Sequence, residues 1–205
     1  MKRLVLASGN PGKLGEIRAI LAPLALEIVA QTELGIGEAE EPHDSFIENA
    51  LAKARHASAA SGCAALADDS GLCVAALGGE PGVHSAYYAG REGSREMRDA
   101  RNNAKLLAEL AKRAHCGAHR RAHYVCVMVL VRHAADPRPL VAEGLWHGEI
   151  AAAARGENGF GYDPIFVAAG ASQTAAELDP GAKNRISHRA LALTRLLERL
   201  RDERS

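Results

Sequence analysis

Two adjacent carboxylates, Asp68 and Asp69, followed by the hydroxyl of Ser70, are the residues of this chain best suited to chemistry. They lie between two short apolar runs, residues 63–67 and 72–77, of the kind that form buried strands. We therefore expect the acidic pair where a strand leaves the core, with Ser70 and the following glycine forming a polar bend. Burying two carboxylates is unfavourable unless a cation or hydrogen-bond donors compensate for it. A bound metal ion would do so, although an isolated Asp-Asp pair more often caps a turn.

A loop suited to binding phosphate follows the first strand-like segment, residues 3–7. Asn10 is a good N-cap and Pro11 suits the first position of a helix, so we expect backbone N–H groups at a helix N-terminus, with the ammonium group of Lys13 beside them. Neither the Walker A pattern nor the dinucleotide-binding fingerprint is present, and a simple turn with a solvated lysine explains the loop equally well. The candidate phosphate-binding residues are Ser8, Gly9, Asn10, Pro11, Gly12 and Lys13.

An acidic segment and a lysine supply further candidates. Glu38, Glu40 and Glu41 precede a capping-box sequence at residues 45–48, and Lys53 lies on the helix that the capping box predicts. By themselves they are typical of a solvated loop and a surface lysine. Combined with the acidic pair, they provide oxygen ligands for Mg²⁺, which takes one or two protein carboxylates together with water and phosphate. One carboxylate can then deprotonate a water molecule while the metal and the lysines stabilise charge on the phosphates.

A glycine-rich turn, residues 156–164, carries two aromatic side chains in a chain of which only 4% is aromatic. Aromatic rings on such a turn can stack on a planar base, although core packing is the more usual role of Phe or Tyr. A basic run, residues 183–189, places donors near the start of the last expected helix, where they are either solvated or available to a ligand carbonyl. The candidates in these two segments are Phe160, Gly161, Tyr162, Asp163, Lys183, His188 and Arg189.

The composition limits the classes of function. The chain has 205 residues, is 47% hydrophobic and carries 25 basic and 25 acidic side chains, so its formal net charge is zero. This length suits a single domain, residues 1–205, and zero net charge removes the broad basic field that nucleic acid or an anionic membrane would require. No apolar stretch approaches the ~20 residues of a membrane span, and the four cysteines show no Cys-x-x-Cys spacing. We expect a cytoplasmic protein with reduced thiols.

The periodicity of apolar residues predicts helices that alternate with strands. The expected strands cover residues 3–7, 26–29, 124–132 and 139–150, and the expected helices start after Asn10 and cover about 46–61, 94–114 and 187–201. The third helix has Met97 and Leu110 on its apolar side. A polar turn joins the last two strands, which we expect to form a long antiparallel pair. These elements predict an α/β fold with a mixed sheet.

Taken in order, the segments strongly resemble the inosine/xanthosine triphosphate pyrophosphatase family, in its bacterial branch, over nearly the whole chain. The resemblance implies hydrolysis of dITP, ITP and XTP to the monophosphate and pyrophosphate, with Mg²⁺, by a homodimer. It also implies a mixed, twisted α/β sheet flanked by helices, with two lobes and a central active-site cleft. The residues that carry it are Ser8-Gly9-Asn10 with Lys13 and Glu16, Phe46-Ile47-Glu48-Asn49-Ala50, Ala67-Asp68-Asp69-Ser70-Gly71-Leu72, residues 76–83, Gly159-Phe160-Gly161-Tyr162-Asp163-Pro164-Ile165-Phe166 and Ser187-His188-Arg189.

Roles carried over from this resemblance divide the candidates into three groups. It implies that residues 8–13 and Lys53 contact the substrate phosphates, and that Glu41 and Asp69 bind Mg²⁺. It gives Asp69 the proton-acceptor role, beside Lys13 and Lys53 in catalysis. The remaining implied contacts are Ser70 to the substrate, Phe160, Gly161, Tyr162 and Asp163 in a base-stacking turn, and Lys183, His188 and Arg189 to the base. Because neighbouring residues of a strand point to opposite faces, we expect Asp68 to brace the turn or a nearby lysine instead.

One segment departs from the family pattern. The bacterial branch usually has Tyr-Ser-Ala-Arg-Tyr where this chain has His84-Ser85-Ala86-Tyr87-Tyr88, so any role of that arginine is not carried over. Two other classes of function also stay open, a non-catalytic nucleotide sensor and a phosphatase acting on sugar phosphates. The acidic pair with two lysines favours an enzyme over a sensor, and the aromatic turn with the basic run favours a nucleobase over a sugar.

Overall fold

The structure, a computed structural model, describes residues 3–22, 26–113 and 120–202. The described strands are β1 (Arg3–Leu6), β2 (Glu27–Ala30), β3 (Ala65–Val74), β4 (Arg121–Val131), β5 (Leu140–Ile150) and β6 (Phe166–Ala168). The described helices are α1 (Pro11–Leu21), α2 (Phe46–Ser61), α3 (Arg95–Arg113), α4 (Pro180–Ile186) and α5 (His188–Asp202). The bounds of β1, β2, β4, β5, α2, α3 and α5 agree with the expected elements to within a few residues, and α1 starts where expected. β3 replaces two separate apolar runs, and β6 and α4 were not among the expected elements.

The six strands form one sheet in the order β2-β1-β3-β4-β5-β6. β1 pairs in parallel with β2 and with β3, whereas β5 and β6 are antiparallel. The expectation of an α/β fold with a mixed sheet flanked by helices is therefore confirmed. β4 and β5 are neighbours in this sheet, as expected for the two β-rich segments.

Local sequence signals determine where the first helices begin and end. The side chain of Asn10 accepts a hydrogen bond from the Lys13 N–H at 3.1 Å, and Pro11 is the first residue of α1. The side chain of Ser45 caps α2 by accepting from the Glu48 N–H. Gly62 ends α2 with φ of 67°, a conformation that favours glycine. The caps and the stop that the sequence predicts at these positions are confirmed.

The expected bend at the acidic pair is wrong. β3 runs without interruption from Ala65 to Val74, so Asp68 and Asp69 lie within a strand and not where a strand ends. Both carboxylates are buried. A strand tolerates them because cationic side chains contact both, which removes the need for a solvated turn.

The apolar side of the third helix also differs from the expectation. Asn102, Leu106 and Leu110 are the buried residues of α3, whereas Met97 is 58% exposed. A polar residue is buried here because the Asn102 side chain bonds three backbone groups. It accepts from the Ala89 N–H and donates to the carbonyl oxygens of Ser85 and Ala86. Hydrophobic periodicity does not detect a residue buried for this reason.

By its internal contacts the chain divides into two compact units, and β3, β4 and β5 each contribute residues to both. The first unit comprises residues 1–69, 126–144 and 187–205, with a core that includes Leu6, Met128 and Leu193. A Cβ atom at Gly144 would lie 2.1 Å from the carbonyl oxygen of His188, which begins α5. Glycine at this position therefore allows the backbone of α5 to approach β5 closely.

The second unit comprises residues 70–125 and 145–186. Its core includes Tyr124, Trp146 and Phe166, whose rings pack against one another. The centroid of Phe166 lies 4.8 Å from that of Tyr124 and 5.0 Å from that of Trp146. Such tilted and edge-on contacts are the favoured geometries of aromatic pairs.

The expectations about reduced thiols and about membrane spans are tested only in part. Cys63, Cys73 and Cys126 are free thiols, whereas Cys116 lies outside the described residues. None of the helices in the described ranges combines the length and the hydropathy needed to cross a bilayer.

Candidate functional site

Four elements of the first unit bring candidate residues to one cluster of charges, which we call the ionic centre. The middle of β3 carries Asp68 and Asp69, and the first turn of α1 carries Lys13. Lys53 projects from α2, and Arg189 from the start of α5. Asp68, Asp69 and Arg189 are each at most 5% exposed, so their charges interact with little screening by water.

Asp68 binds two cations through a single oxygen. Its Oδ2 lies 3.0 Å from Lys13 Nζ and 3.1 Å from Arg189 Nη2. Burial alone would raise the pKa of Asp68, but Lys13 and Arg189 outweigh it and hold that pKa well below its usual range. Asp68 is therefore a fixed negative charge. The expectation that it braces a nearby lysine is confirmed.

Arg189 is the most deeply buried cation of the ionic centre. Its side chain is 1% exposed and also bonds the carboxylate of Glu16 on α1. Burial would lower the pKa of Arg189, but Asp68 and Glu16 raise it further above its usual value. The guanidinium is thus engaged by two carboxylates. Its expected contact with a base stays a prediction, and the observed geometry favours a role in positioning α1, β3 and α5.

Asp69 has different partners from Asp68, as expected for neighbours on a strand. Its Oδ1 lies 2.9 Å from Lys53 Nζ, and its Oδ2 accepts a hydrogen bond of 3.4 Å from Asn49 Nδ2. Burial raises the pKa of Asp69, although Lys53 and Lys13 act in the opposite direction. A carboxylate whose pKa lies above the usual value of an aspartate is the stronger base, so it is better suited to accept a proton.

Lys53 contacts two carboxylates at once. Besides Asp69, its Nζ lies 3.4 Å from Oε2 of Glu41, which is 46% exposed at the side chain. Burial would lower the pKa of Lys53, but Asp69 and Glu41 together raise it. Carboxylate oxygens of Asp69 and Glu41 therefore both lie next to the single positive charge of the Lys53 ammonium group.

The oxygens around Lys53 are also suited to a divalent cation. Among the residues that the structure describes, no group of three or more His, Cys, Asp or Glu side chains is placed to hold a metal ion. Mg²⁺ does not require one, because it commonly takes one or two protein carboxylates and completes its octahedron with water and phosphate oxygens. Asp69 and Glu41 fit that requirement.

The loop before α1 is ordered by its own side chains. Ser8 Oγ accepts from the Asn10 N–H at 3.2 Å, and the Asn10 side chain accepts from the Lys13 N–H. A Cβ atom at Gly9 would lie 2.4 Å from Glu38 Oε1, so the absence of a side chain there makes room for this carboxylate. The loop presents glycines and a helix N-terminus as expected, and its contact with phosphate stays a prediction.

In the second unit, residues 159–163 form a compact turn, here called the aromatic turn. Asp163 holds it together, because Oδ2 accepts from the Phe160 N–H at 2.9 Å and lies 2.5 Å from Lys183 Nζ. Tyr124 donates to the other oxygen of Asp163 at 3.3 Å. Gly159 and Gly161 have φ of 76° and 65°, which the reversal of the chain requires.

The two aromatic residues of this turn differ in exposure. Tyr162 is buried and donates from its hydroxyl to the Ser85 carbonyl oxygen at 2.9 Å, so its ring belongs to the core. Phe160 is half-buried, with Arg95 Cζ 4.5 Å and Lys183 Nζ 4.9 Å from its ring centroid. Of these two rings, Phe160 is the better candidate for contact with a planar ligand.

The start of α3 fixes the same turn from another direction. Asp99 accepts from the Gly161 N–H at 2.9 Å, and Asn103 donates to the Gly161 carbonyl oxygen at 3.0 Å. Arg95 Nε lies 3.8 Å from Asp99. Sequence reasoning missed Arg95, Asp99 and Asn103. Their spacing of four residues indicates a shared helix face, but not what that face contacts.

The other site candidates are distributed as follows. Ser70 follows Asp69 in β3 and is half-buried, and His188 is buried at the start of α5. Tyr87, which stands where the family usually has an arginine, packs against Arg91, whose Cζ lies 4.3 Å from the ring centroid. Asn49 and Glu16 belong to the motifs that carry the family resemblance but were given no role at the site, although each lies on the same helix face as a candidate lysine, four and three residues away.

Fold and side chains together define an α/β protein with a buried carboxylate pair, two lysines and a separate aromatic turn. A family model described as the Ham1 family matches residues 4–199. A dITP/XTP pyrophosphatase of Ralstonia nicotianae is 60% identical over 201 residues, 98% of each chain. One of Burkholderia pseudomallei is 61% identical over 198 residues, 97% of this chain and 93% of that protein.

Solved structures of Ham1 proteins and of a dITP/XTP pyrophosphatase are similar to this chain over nearly its whole length. A HAM1 protein of Coxiella burnetii is 46% identical and superposes with a TM-score of 0.88 over 98% of this chain and all of that one. A nucleoside-triphosphatase, dITP/XTP pyrophosphatase, of Mycobacterium abscessus is 44% identical, with a TM-score of 0.70 over 95% of this chain and 98% of that one. The chain belongs to the Ham1 family. The resemblance inferred from its motifs is confirmed.

Proposed function

We propose that this protein hydrolyses dITP, ITP and XTP to the nucleoside monophosphate and pyrophosphate, and so removes deaminated purines from the nucleotide pool. The names of relatives with about 60% identity over nearly the full chain support the reaction class. The observation that carries the proposal is the ionic centre, where Asp69 and Glu41 converge on Lys53. It combines a buried carboxylate of raised pKa with fixed positive charge, as phosphoanhydride hydrolysis requires.

The proposed reaction assigns a task to each charged side chain. The Asp69 carboxylate accepts the proton of a water molecule whose oxygen forms a bond to the α-phosphorus, while the α–β anhydride bond breaks and pyrophosphate leaves. Lys13 and Lys53 neutralise charge on the phosphates. Residues 8–13 bind phosphate oxygens through the N-terminus of α1, and Ser70 contacts the substrate. Glu41 and Asp69 would hold Mg²⁺, which supplies Lewis-acid stabilisation of phosphate charge when bound.

Base selection belongs to the aromatic turn and the basic run in this proposal. Phe160 stacks on the base, and Gly161, Tyr162 and Asp163 shape the turn around it. Hypoxanthine and xanthine carry an acceptor oxygen at position 6 where adenine carries an amino donor, so donors from Lys183 and His188 favour the former. Arg189 instead holds the start of α5 through its bonds to Asp68 and Glu16. A site that hydrogen-bonds its substrate can reject a mismatched base by a factor of ~10⁴. The single domain of residues 1–205, a homodimer and a cytoplasmic location stay predictions.

An assay of the purified full chain tests the reaction class. The protein is incubated with Mg²⁺ and separately with ITP, XTP, dITP, GTP and ATP, and released pyrophosphate and orthophosphate are measured independently. We expect pyrophosphate from the first three and little turnover of ATP, and we expect EDTA to abolish the reaction. Orthophosphate as the only product would instead indicate a phosphatase, equal rates on ATP would contradict the base selection, and binding without turnover would indicate a nucleotide sensor.

The assignment of Asp69 as the general base, which accepts the proton of the attacking water, is tested by Asp69→Asn. This change keeps the shape of the side chain but removes the proton acceptor, so we expect kcat for ITP to fall by a factor of about 10²–10⁴. Circular dichroism and the melting temperature should still report a folded protein. A variant that retains near wild-type kcat would exclude Asp69 as the general base.

A further inference from the structure

Asn49, on α2, is a buried amide whose contacts connect two parts of the ionic centre. Its side chain bonds both backbone groups of His43, because Oδ1 accepts from the His43 N–H at 3.1 Å and Nδ2 donates to the His43 carbonyl oxygen at 3.0 Å. Asn49 is only 2% exposed. A buried amide with such a two-point contact fixes the backbone that it binds. That backbone lies two residues after Glu41.

The same amide reaches Asp69. Nδ2 carries two hydrogens, and besides the bond to His43 it donates to Asp69 Oδ2 at 3.4 Å. The His43 N–H requires an acceptor at Oδ1, so the orientation of the amide is determined and Nδ2 is the atom that faces Asp69. One side chain therefore contacts both the loop that carries Glu41 and the carboxylate of Asp69.

Lys53 completes this arrangement from the same helix. It lies four residues after Asn49, hence on the same face of α2, and its Nζ contacts the other oxygen of Asp69 and also Glu41. The lysine supplies charge to both carboxylates. Asn49 supplies a donor without charge, so it orients Asp69 while leaving the negative charge of the carboxylate available to a cation.

We propose that Asn49 is a positioning residue that holds the Glu41 loop and the Asp69 carboxylate in the relative placement that lets both oxygens share one divalent cation. This inference rests on the proposed function, which assigns Glu41 and Asp69 to the metal. Partners that orient metal ligands typically contribute a factor of 10–100 in metal affinity or activity. A purely structural amide would affect stability alone.

The test measures metal binding directly, on the full chain, with Mn²⁺ as the probe. Mn²⁺ is titrated in the presence of inorganic pyrophosphate, and free Mn²⁺ is followed by electron paramagnetic resonance. We expect Asn49→Ala and Asn49→Leu to raise the Mn²⁺ dissociation constant by about 10–100-fold. The leucine variant fills the space of the amide but donates no hydrogen bond, which separates the loss of the donor from the loss of packing. The Mg²⁺ concentration for half-maximal ITP turnover should rise in parallel.

A matched control comes from the same helix. Ser58 is buried to the same extent as Asn49 and donates from Oγ to the Cys63 carbonyl oxygen at 2.7 Å, but this bond involves neither the Glu41 loop nor Asp69. Ser58→Ala should lower the melting temperature while leaving Mn²⁺ affinity within about twofold of wild type, since it removes a hydrogen bond and no metal partner.

Two outcomes distinguish the failure of this inference from the failure of the proposed function. If Asp69→Asn weakens Mn²⁺ binding but both Asn49 variants bind it within about twofold of wild type, the positioning role is wrong. If Asp69→Asn leaves Mn²⁺ affinity unchanged, the metal assignment itself is wrong. Each Asn49 variant loses hydrogen bonds at a single buried position, so both are expected to remain folded, which circular dichroism checks.

Discussion

The ionic centre and the aromatic turn are both organised around a buried aspartate, but they use different partners. In the ionic centre, one oxygen of Asp68 contacts two cations, Lys13 and Arg189. In the aromatic turn, Asp163 contacts one cation, Lys183, and its remaining bonds come from a backbone N–H and a tyrosine hydroxyl. The first network is held by opposite charges, and the second is held largely by neutral donors.

This difference determines how each network responds to the loss of its aspartate. An uncompensated buried charge is far less favourable than an unpaired neutral donor, so a network with two cations per carboxylate is the more sensitive. The arrangement also suits different ligands. Fixed positive charge favours phosphate, whereas a turn of backbone bonds and an accessible ring favours a flat, weakly charged group such as a base.

The largest expected effect is that of Asp68→Asn on stability. The change keeps the shape of the side chain, but it removes the carboxylate charge beside Lys13 and leaves Arg189 with Glu16 as its remaining carboxylate partner. We expect the free energy of unfolding to fall by about 4–5 kcal/mol, the upper part of the range for breaking a buried ion pair. For a chain of this length that corresponds to a fall of about 8–20 °C in melting temperature, measured by calorimetry.

An exposed ion pair provides the control for this prediction. Arg3 and Glu27 form a salt bridge between β1 and β2, with side chains 48% and 54% exposed. Glu27→Gln should not measurably change the melting temperature, because water already solvates both charges. If Asp68→Asn melts at the wild-type temperature, the ionic centre does not depend on charge compensation and the contrast with the aromatic turn fails.

Asp163→Asn should have a smaller effect on stability and a different effect on activity. Only Lys183 loses a charged partner, and the amide can still accept from the Phe160 N–H, so we expect about 3 kcal/mol, the lower end of the same range. Because the turn that carries Phe160 loosens, KM for ITP should rise more than kcat falls. A destabilisation equal to or greater than that of Asp68→Asn would overturn the proposed ranking of the two networks.

The sequence predicted the segments of both networks but not their pairings. Caps such as Asn10 and Ser45 act within a few residues, so the starts of α1 and α2 followed directly from sequence. Asp68 and Arg189, in contrast, are 121 residues apart, and Arg189 and Glu16 are 173 residues apart. Their contact depends on how strands and helices pack, which a single sequence does not specify.

The misplaced bend at the acidic pair has the same cause. Local sequence rules treat two adjacent aspartates as unfavourable in a strand, and they would be correct if Asp68 and Asp69 had no cations beside them. The partners come from α1, α2 and α5, and even the nearest of them, Lys53, is 16 residues from Asp69 along the chain. A tertiary contact therefore reversed a local preference at the residues with the proposed chemistry, as is common at functional sites.

The smallest expected effect is that of Arg95→Ala, which tests whether α3 helps to present Phe160. The guanidinium lies over the Phe160 ring, and the contribution of such a contact at a partly exposed site is about 0.5–1 kcal/mol. If the ring stacks on the base, KM for ITP should rise about 2–5-fold with kcat unchanged. Steady-state kinetics at saturating Mg²⁺ provides the measurement.

Two comparisons show whether the effect of Arg95→Ala passes through the ring. Arg98 lies on the same helix but over Tyr87, with 5.5 Å from Cζ to the ring centroid, so Arg98→Ala should leave KM for ITP unchanged. In a Phe160→Leu background, Arg95→Ala should have no additional effect, because there is no aromatic face left to position. Additive effects of the two substitutions would show instead that Arg95 acts on the nucleotide independently of Phe160, which would make the charge of α3, and not its contact with the turn, the feature that matters for binding.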